Sequence, residues 1–229
     1  MISNIISNGI VDSLPYILLQ KGKGKRVYEI WHLLNDLDRE KIVKQISDFF
    51  NCMFDLKYNN LFKNDFTREL KSNLNYNINA INIYIDNKLF YVIISFINNN
   101  TDIFNNEENV ICYTDMHFDN ILVDDECNIT TVFDFEDVKI GPKYCVLDTF
   151  VRMSRYPYLY ANEADEKNVR VDDYTNIVIW LKKYNSEVFN YNNLDVKLKL
   201  IALEYDMRQL IDYPNNEGLK KRIFEDLYK

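Results

Sequence analysis

Tyr113-Thr114-Asp115-Met116-His117-Phe118-Asp119-Asn120-Ile121-Leu122-Val123-Asp124, followed by Val132-Phe133-Asp134-Phe135-Glu136-Asp137, is the stretch on which the fold turns. Ile121-Leu122-Val123 faces a second apolar-rich run, Ile129 to Phe133, across the turn-forming segment Asp124-Asp125-Glu126-Cys127-Asn128, and this predicts a β-hairpin. Asp115 and Asn120 lie in the loop that leads into the hairpin, and Asp134 stands at its exit. The hairpin therefore brings two carboxylates and one carboxamide toward a common place.

Phosphoryl transfer needs that set. One carboxylate orients and deprotonates the attacking hydroxyl, and oxygen ligands hold the metal that neutralises the nucleotide phosphates. Asp115 suits the first role; the Asn120 carbonyl oxygen and the Asp134 carboxylate suit Mg²⁺. A lone Asp-x4-Asn forms turns as readily as catalytic loops, and it is the combination with the hairpin and the V-F-D-F strand end that gives the pattern weight. His117, on the loop flank, is expected to stabilise the loop rather than to catalyse. Asp119 and Asp137 are expected to be solvated or to support the loop.

The constellation resembles the aminoglycoside phosphotransferase and choline kinase group of protein-kinase-like enzymes, whose catalytic loop reads H-x-D-x-x-x-x-N and whose metal-binding strand ends in D-F or D-F-E-D. The resemblance implies a catalytic Asp115, metal ligation by Asn120 and Asp134, Mg²⁺ as cofactor and ATP or GTP as phosphoryl donor. Tyr113 departs from the pattern, standing where the group has a histidine that buttresses the loop. Ile17-Leu18-Leu19-Gln20-Lys21, with Gly24 and Val27, looks like the strand and hinge between kinase lobes, so Leu18, Leu19 and Gln20 are expected to meet the nucleotide base. In that group a phosphate-covering stretch with a lysine precedes the hinge. The expectation here is a remnant N-terminal hairpin and hinge over residues 1–24 and a catalytic lobe over 25–229. Gly22-Lys23-Gly24-Lys25 has neither phosphate-loop nor kinase-loop spacing and reads as a turn. The expected fold class is α+β: protein-kinase-like, a mainly helical C-lobe with small β-hairpins at the catalytic site.

Composition agrees with a globular chain. At 229 residues, 47% hydrophobic and 14% aromatic, it can bury a sizeable core. A net charge of −8 disfavours nucleic acid, whose backbone is bound by clustered Lys and Arg, and is compatible with a cationic small-molecule acceptor. Cys52, Cys112, Cys127 and Cys145 show no C-x-x-C spacing and are expected to be reduced thiols. The longest apolar run, Tyr91 to Ile97, is too short to cross a bilayer. A cytoplasmic protein is expected.

Along the chain, residues 1–21 read as a hairpin with its turn at Asn8-Gly9, and helices are expected over 26–34, 38–56, 79–96, 144–153, 172–189, 194–213 and 218–227. The resemblance puts the acceptor between the catalytic loop and the C-terminal helices, where Asp165, Glu166, Glu204 and Asp206 are candidate ligands. Two functions compete: an O-phosphotransferase of a small hydroxylated molecule, and a degenerate kinase fold that binds a ligand or partner without turnover. Retention of Asp115, Asn120 and Asp134 favours the enzyme. The apolar N-terminal hairpin of residues 1–21 is expected to favour self-association or a partner that completes the sheet.

Overall fold

In the computed structural model, which describes residues 5–58, 65–104, 107–160 and 166–228, the chain opens with an antiparallel hairpin of β1 (Ile5–Val11) and β2 (Leu14–Leu19). A short strand β3 (Lys25–Arg26), one helical turn α1 (Val27–Ile30) and a 3-10 turn (Trp31–Leu33) lead into the long helix α2 (Asp36–Phe54). Helices α3 (Phe66–Ile81) and α4 (Asn87–Asn100) follow. Next come β4 (Val110–Tyr113), the hairpin of β5 (Ile121–Val123) and β6 (Ile129–Val132), and β7 (Val138–Gly141). The remainder is helical: α5 (Leu147–Arg155), α6 (Ile177–Tyr184), α7 (Leu194–Asp212) and α8 (Glu217–Tyr228), with 3-10 turns between. This is the mostly helical α+β architecture with small sheets that the sequence predicts. No helix among the described residues is long and apolar enough to cross a membrane.

Two compact units divide the chain. The first comprises Met1–Met53, Tyr113–Val138 and Thr149–Ser186. Its framework is α2, which buries Ile42, Val43, Ile46, Phe49, Phe50 and Met53 at spacings of three and four, the stripe that makes this segment an amphipathic helix. Phe50 meets Phe150 edge-on at 5.9 Å, and Phe49 lies 6.3 Å from Phe135. Each such buried side chain contributes about 1.5–3 kcal/mol. On this framework sits a three-stranded antiparallel sheet in the order β3-β5-β6. Gly24 makes the approach of β3 feasible: its φ is +117°, and a Cβ there would lie 2.2 Å from the Val123 carbonyl oxygen.

The second unit comprises Phe54–Cys112, Lys139–Asp148 and Glu187–Lys229. Here α3 packs along α7 and α4 along α8. Lys197, 3% exposed, pairs with Glu107 and lies over the rings of Tyr144 and Tyr191. The Tyr144 hydroxyl donates to the other Glu107 oxygen at 2.6 Å, so the buried charges satisfy one another.

The helices expected over 26–34, 38–56, 194–213 and 218–227 form to within a few residues, and three local expectations are corrected. The first hairpin turns at Asp12-Ser13, not at Asn8-Gly9, with φ of 49° and 67°, the two left-handed residues that a two-residue hairpin turn demands. Gly9 instead lies within β1 opposite Tyr16, where a Cβ would come within 3.0 Å of the tyrosine ring. The helix expected over 79–96 is two helices. Asp86 captures the Leu89 N–H at 2.7 Å and caps α4, whose buried face is Leu89, Ile93 and Ile97. The helix expected over 172–189 is a 3-10 turn (Val171–Tyr174), α6, and a second 3-10 turn (Ser186–Phe189).

Candidate active site

The candidate site is carried entirely by the first unit. Beyond β4 the chain alternates: Met116 and Phe118 point inward and are fully buried, while Asp115, His117 and Asp119 keep partial exposure. Phe118 anchors the loop against Trp31 at 4.3 Å and Tyr174 at 6.1 Å. That floor is itself pinned, because Trp31 Nε1 donates to the Asp173 carbonyl at 2.9 Å and buried Arg39 bonds both the Trp31 carbonyl and the Asp173 carboxylate. Asp119 Oδ1 lies 3.2 Å from Arg26 Nη1 in a direction that forms no hydrogen bond; charge pairing alone compensates this buried oxygen. Asp119 thus ties the loop to β3, a supporting role.

Tyr113 joins the three expected site residues. Its hydroxyl donates to the Phe133 carbonyl at 3.0 Å and accepts from Asn120 Nδ2 at 3.0 Å. The same Nδ2 donates to the Asp115 carbonyl at 3.0 Å, and the Phe133 N–H donates back to the Asn120 carbonyl at 3.2 Å. A carbonyl can only accept, so the Asn120 amide has one orientation, with Oδ1 turned away from both partners. The start of the loop, its end and the residue before Asp134 are thereby bound into one network. Burial pushes the Tyr113 hydroxyl well above the usual tyrosine range, the Asn120 bond opposes the shift, and the charges of Asp115, Asp134 and Asp137 add to it. The phenol remains a neutral bridge, and it feels all three carboxylates.

Asp134 adopts φ 64° and ψ 62°, a left-handed conformation that costs a non-glycine residue about 1–2 kcal/mol and tends to persist at functional positions. Phe135 holds it there, its ring 5.2 Å from Tyr113. Thr114 bonds the Asp137 carbonyl through both its N–H and its hydroxyl, and Thr149 bonds the Thr114 carbonyl at 2.9 Å. The Asp134 side chain is exposed and makes no capping bond to the 3-10 turn that follows. Among the described residues no group of three or more His, Cys, Asp or Glu side chains is arranged to hold a metal. One carboxylate and one outward amide oxygen fit a cation such as Mg²⁺, which keeps several waters and draws further ligands from substrate phosphates.

The other expected residues are dispersed. Leu18 and Leu19 are exposed on β2 and Gln20 follows it. Glu166 is exposed in a 3-10 turn of the first unit, whereas Glu204 and Asp206 lie on α7 of the second. Asp206 is buried and bonded twice by Arg222, at 2.8 and 3.2 Å, and Glu204 accepts from Asn77. Asp165 lies outside the described residues. Sequence reasoning missed the bridging role of Tyr113; the available signal was that a phenol, like an imidazole, can donate and accept at once.

Residues 65–145 match the model of the phosphotransferase enzyme family that includes the aminoglycoside phosphotransferases. No curated protein sequence matches the chain. Among solved structures, the chain is similar to the GDP complex of wild-type aminoglycoside 2'-phosphotransferase-IIIa, with TM-score 0.66 at 14% identity over 100% of this chain and 74% of that one. It is also similar to ADP-bound aminoglycoside phosphotransferase APH(2'')-Ib, with TM-score 0.63 at 16% identity over 96% and 74%. A thermostable mutant of APH(4)-Ia gives TM-score 0.66 at 10% identity over 99% and 77%. The fold is the protein-kinase-like fold of the aminoglycoside phosphotransferases.

Proposed function

We propose that this chain carries the catalytic machinery of a Mg²⁺- and nucleotide-dependent O-phosphotransferase acting on a small hydroxylated molecule. The observation that supports this most is the hydrogen-bond network in which Tyr113 bonds Asn120 and the carbonyl of Phe133, the neighbour of Asp134, while Asn120 Nδ2 in turn bonds the Asp115 carbonyl. In this reading Asp115 orients the acceptor hydroxyl and takes its proton as the oxygen bonds to the transferred phosphorus, and the bond from phosphorus to the nucleotide's leaving oxygen breaks. Asn120 Oδ1 and the Asp134 carboxylate would hold Mg²⁺, which when bound supplies neutralisation of the phosphate charge. Asp115 lies in the loop before β5 and Asp134 beyond β6, and Ile121 pairs with Val132, so base and metal ligand emerge from the two strands at the same open end of one hairpin.

The donor is ATP or GTP, its base edge met by backbone groups near Leu18, Leu19 and Gln20. Similar enzymes were solved with GDP and with ADP. For the acceptor, a net charge of −8 favours a cation such as an aminoglycoside, with Asp165 and Glu166 as candidate ligands; Glu204 and Asp206 are already engaged by Asn77 and Arg222. Four free cysteines suit a reducing cytoplasm.

The β1–β2 hairpin supports association with a second copy of this chain. Nine of its large apolar side chains are each 41% to 75% exposed. Successive strand side chains alternate between the two faces of the hairpin, so both faces present apolar surface. The hairpin carries one charge, Asp12, and so offers little to a charged partner. Pro15 removes an outward N–H from β2, whereas β1 is free of proline and is the better edge for an antiparallel, two-fold symmetric pairing.

A phosphotransfer assay over a panel of aminoglycosides and small alcohols, with ATP and with GTP and with and without Mg²⁺, tests the enzyme reading. Turnover should require Mg²⁺, and Asp115→Ala should lower it about 10²- to 10⁴-fold with an unchanged circular dichroism spectrum. Equal turnover in the variant removes Asp115 from its role. Absence of turnover with every acceptor of the panel favours the non-catalytic kinase fold.

A further inference from the structure

His117 is held on two sides. Its Nδ1 accepts the Asp119 backbone N–H at 3.3 Å. The Tyr160 ring lies 6.1 Å away at 44°, its hydroxyl bonded by Nε of buried Arg152 at 3.2 Å. A backbone N–H can only donate, so Nδ1 is the unprotonated nitrogen and the neutral ring carries its hydrogen on Nε2. That Nε2 lies 3.6 Å from Asp115 Oδ2.

The Asp115 backbone is already fixed, its carbonyl accepting from the His117 N–H at 2.9 Å and from Asn120 Nδ2 at 3.0 Å. Its carboxylate is 41% exposed, against 24% for the His117 side chain. A separation of 3.6 Å is longer than a hydrogen bond, and bonds to catalytic groups commonly tighten only when substrate is present.

We propose that His117 is a positioning residue for Asp115: with Nδ1 committed to the Asp119 N–H, its Nε2–H faces the Asp115 carboxylate and holds it toward the acceptor hydroxyl. This rests on Asp115 being the base. It gives His117 a role apart from loop stabilisation, and it extends the site to Tyr160, whose ring lies beside the imidazole, and to Arg152, which bonds the Tyr160 hydroxyl. No covalent step passes through His117.

The two nitrogens can be separated by substitution. His117→Asn keeps an acceptor near the Asp119 N–H and loses the reach to Asp115; His117→Gln keeps a donor at the Nε2 position and loses the local cap. His117→Asn should therefore fold with a melting temperature near wild type and lose kcat about 10- to 100-fold at little change in acceptor KM, and His117→Gln should recover most of that loss. A structural role alone would give the opposite ranking, with Gln the worse in both melting temperature and kcat, and would overturn the proposal.

Nuclear magnetic resonance reads the same geometry without turnover. The chain has two histidines, so His32 serves as the internal reference. The imidazole nitrogens of His117 should report the Nε2–H tautomer, and Asp115→Ala should shift the Nε2 resonance while leaving His32 in place. An Nδ1–H tautomer, or an Nε2 resonance indifferent to Asp115→Ala, overturns the proposal even in an active enzyme. An inactive wild-type protein defeats the phosphotransferase reading and still leaves the contact to be judged by this spectrum.

Discussion

At the scale of single residues, the site depends on one hydroxyl that stands where related loops have an imidazole. Tyr113 is fully buried, and its phenol satisfies the Phe133 carbonyl and Asn120 Nδ2 together. Tyr113→Phe keeps the ring packing against Phe135 and removes both bonds. It should cost about 1–3 kcal/mol of stability, the usual penalty for leaving buried polar groups unpaired, as read from thermal melting. With the Asn120 amide released, kcat should fall about 10- to 100-fold, in the range seen when supporting bonds around a metal ligand are cut. Tyr113→His should restore more activity than Tyr113→Phe, since an imidazole can again donate and accept; equal kcat in the two variants would refute the bridging role. Asp134 makes the complementary point, because its left-handed backbone is a local cost borne at the position proposed to bind the metal.

At the scale of elements, the β5–β6 hairpin is short, and its turn bears much of its stability. Asp124 accepts from the backbone N–H groups of Glu126 at 3.0 Å and Asn128 at 2.8 Å, and from Asn128 Nδ2 at 3.1 Å. The Asn128 bonds, foremost, hold its carboxyl below the ordinary value of 3.8. A carboxylate whose folded pKa is depressed stabilises the fold above its unfolded pKa, and that contribution disappears as pH falls through the lower folded value. Wild type should therefore melt above Asp124→Asn at neutral pH, and the two curves should converge as pH drops below the ordinary carboxylate range; a gap that persists in acid would show that the bonds do not depend on charge. The division of the predicted 79–96 helix is also an element-scale effect. The apolar spacing runs through residues 82–86 unbroken, but the Asp86 carboxylate binds the Leu89 N–H and starts a new helix.

At the scale of the whole molecule, each unit closes its own polar network. Arg39 and Asp173 pair beneath the 114–120 loop in the first unit, and Lys197 with Glu107 and Arg222 with Asp206 in the second. The β1–β2 hairpin is the exception, apolar and exposed. Light scattering coupled to size-exclusion chromatography should report a dimer at micromolar concentration. Asn8 lies opposite Ile17, in a pair whose backbone groups point away from the hairpin ladder, so Asn8→Pro should remove an outward donor and yield a monomer without unfolding the chain. A monomeric wild type, or a dimer that survives Asn8→Pro, would rule out pairing through β1.

The sequence by itself determined whatever rests on local spacing and side-chain chemistry. The β5–β6 hairpin and its flanking Asp115, Asn120 and Asp134, the amphipathic stripes of α2, α7 and α8, and the α+β class were all legible, because a period of two or of three to four is written directly in the chain. Tertiary structure decided what depends on partners far apart in sequence. Tyr113 became a bridge only because Phe133, twenty residues on, presents its carbonyl; Gly24 was required only because Val123 passes within reach of its absent Cβ. Asp206 was drawn into an ion pair by Arg222, one helix later. Such contacts follow from how packed elements bring backbone carbonyls and charges within hydrogen-bond distance, and no window of sequence contains both partners.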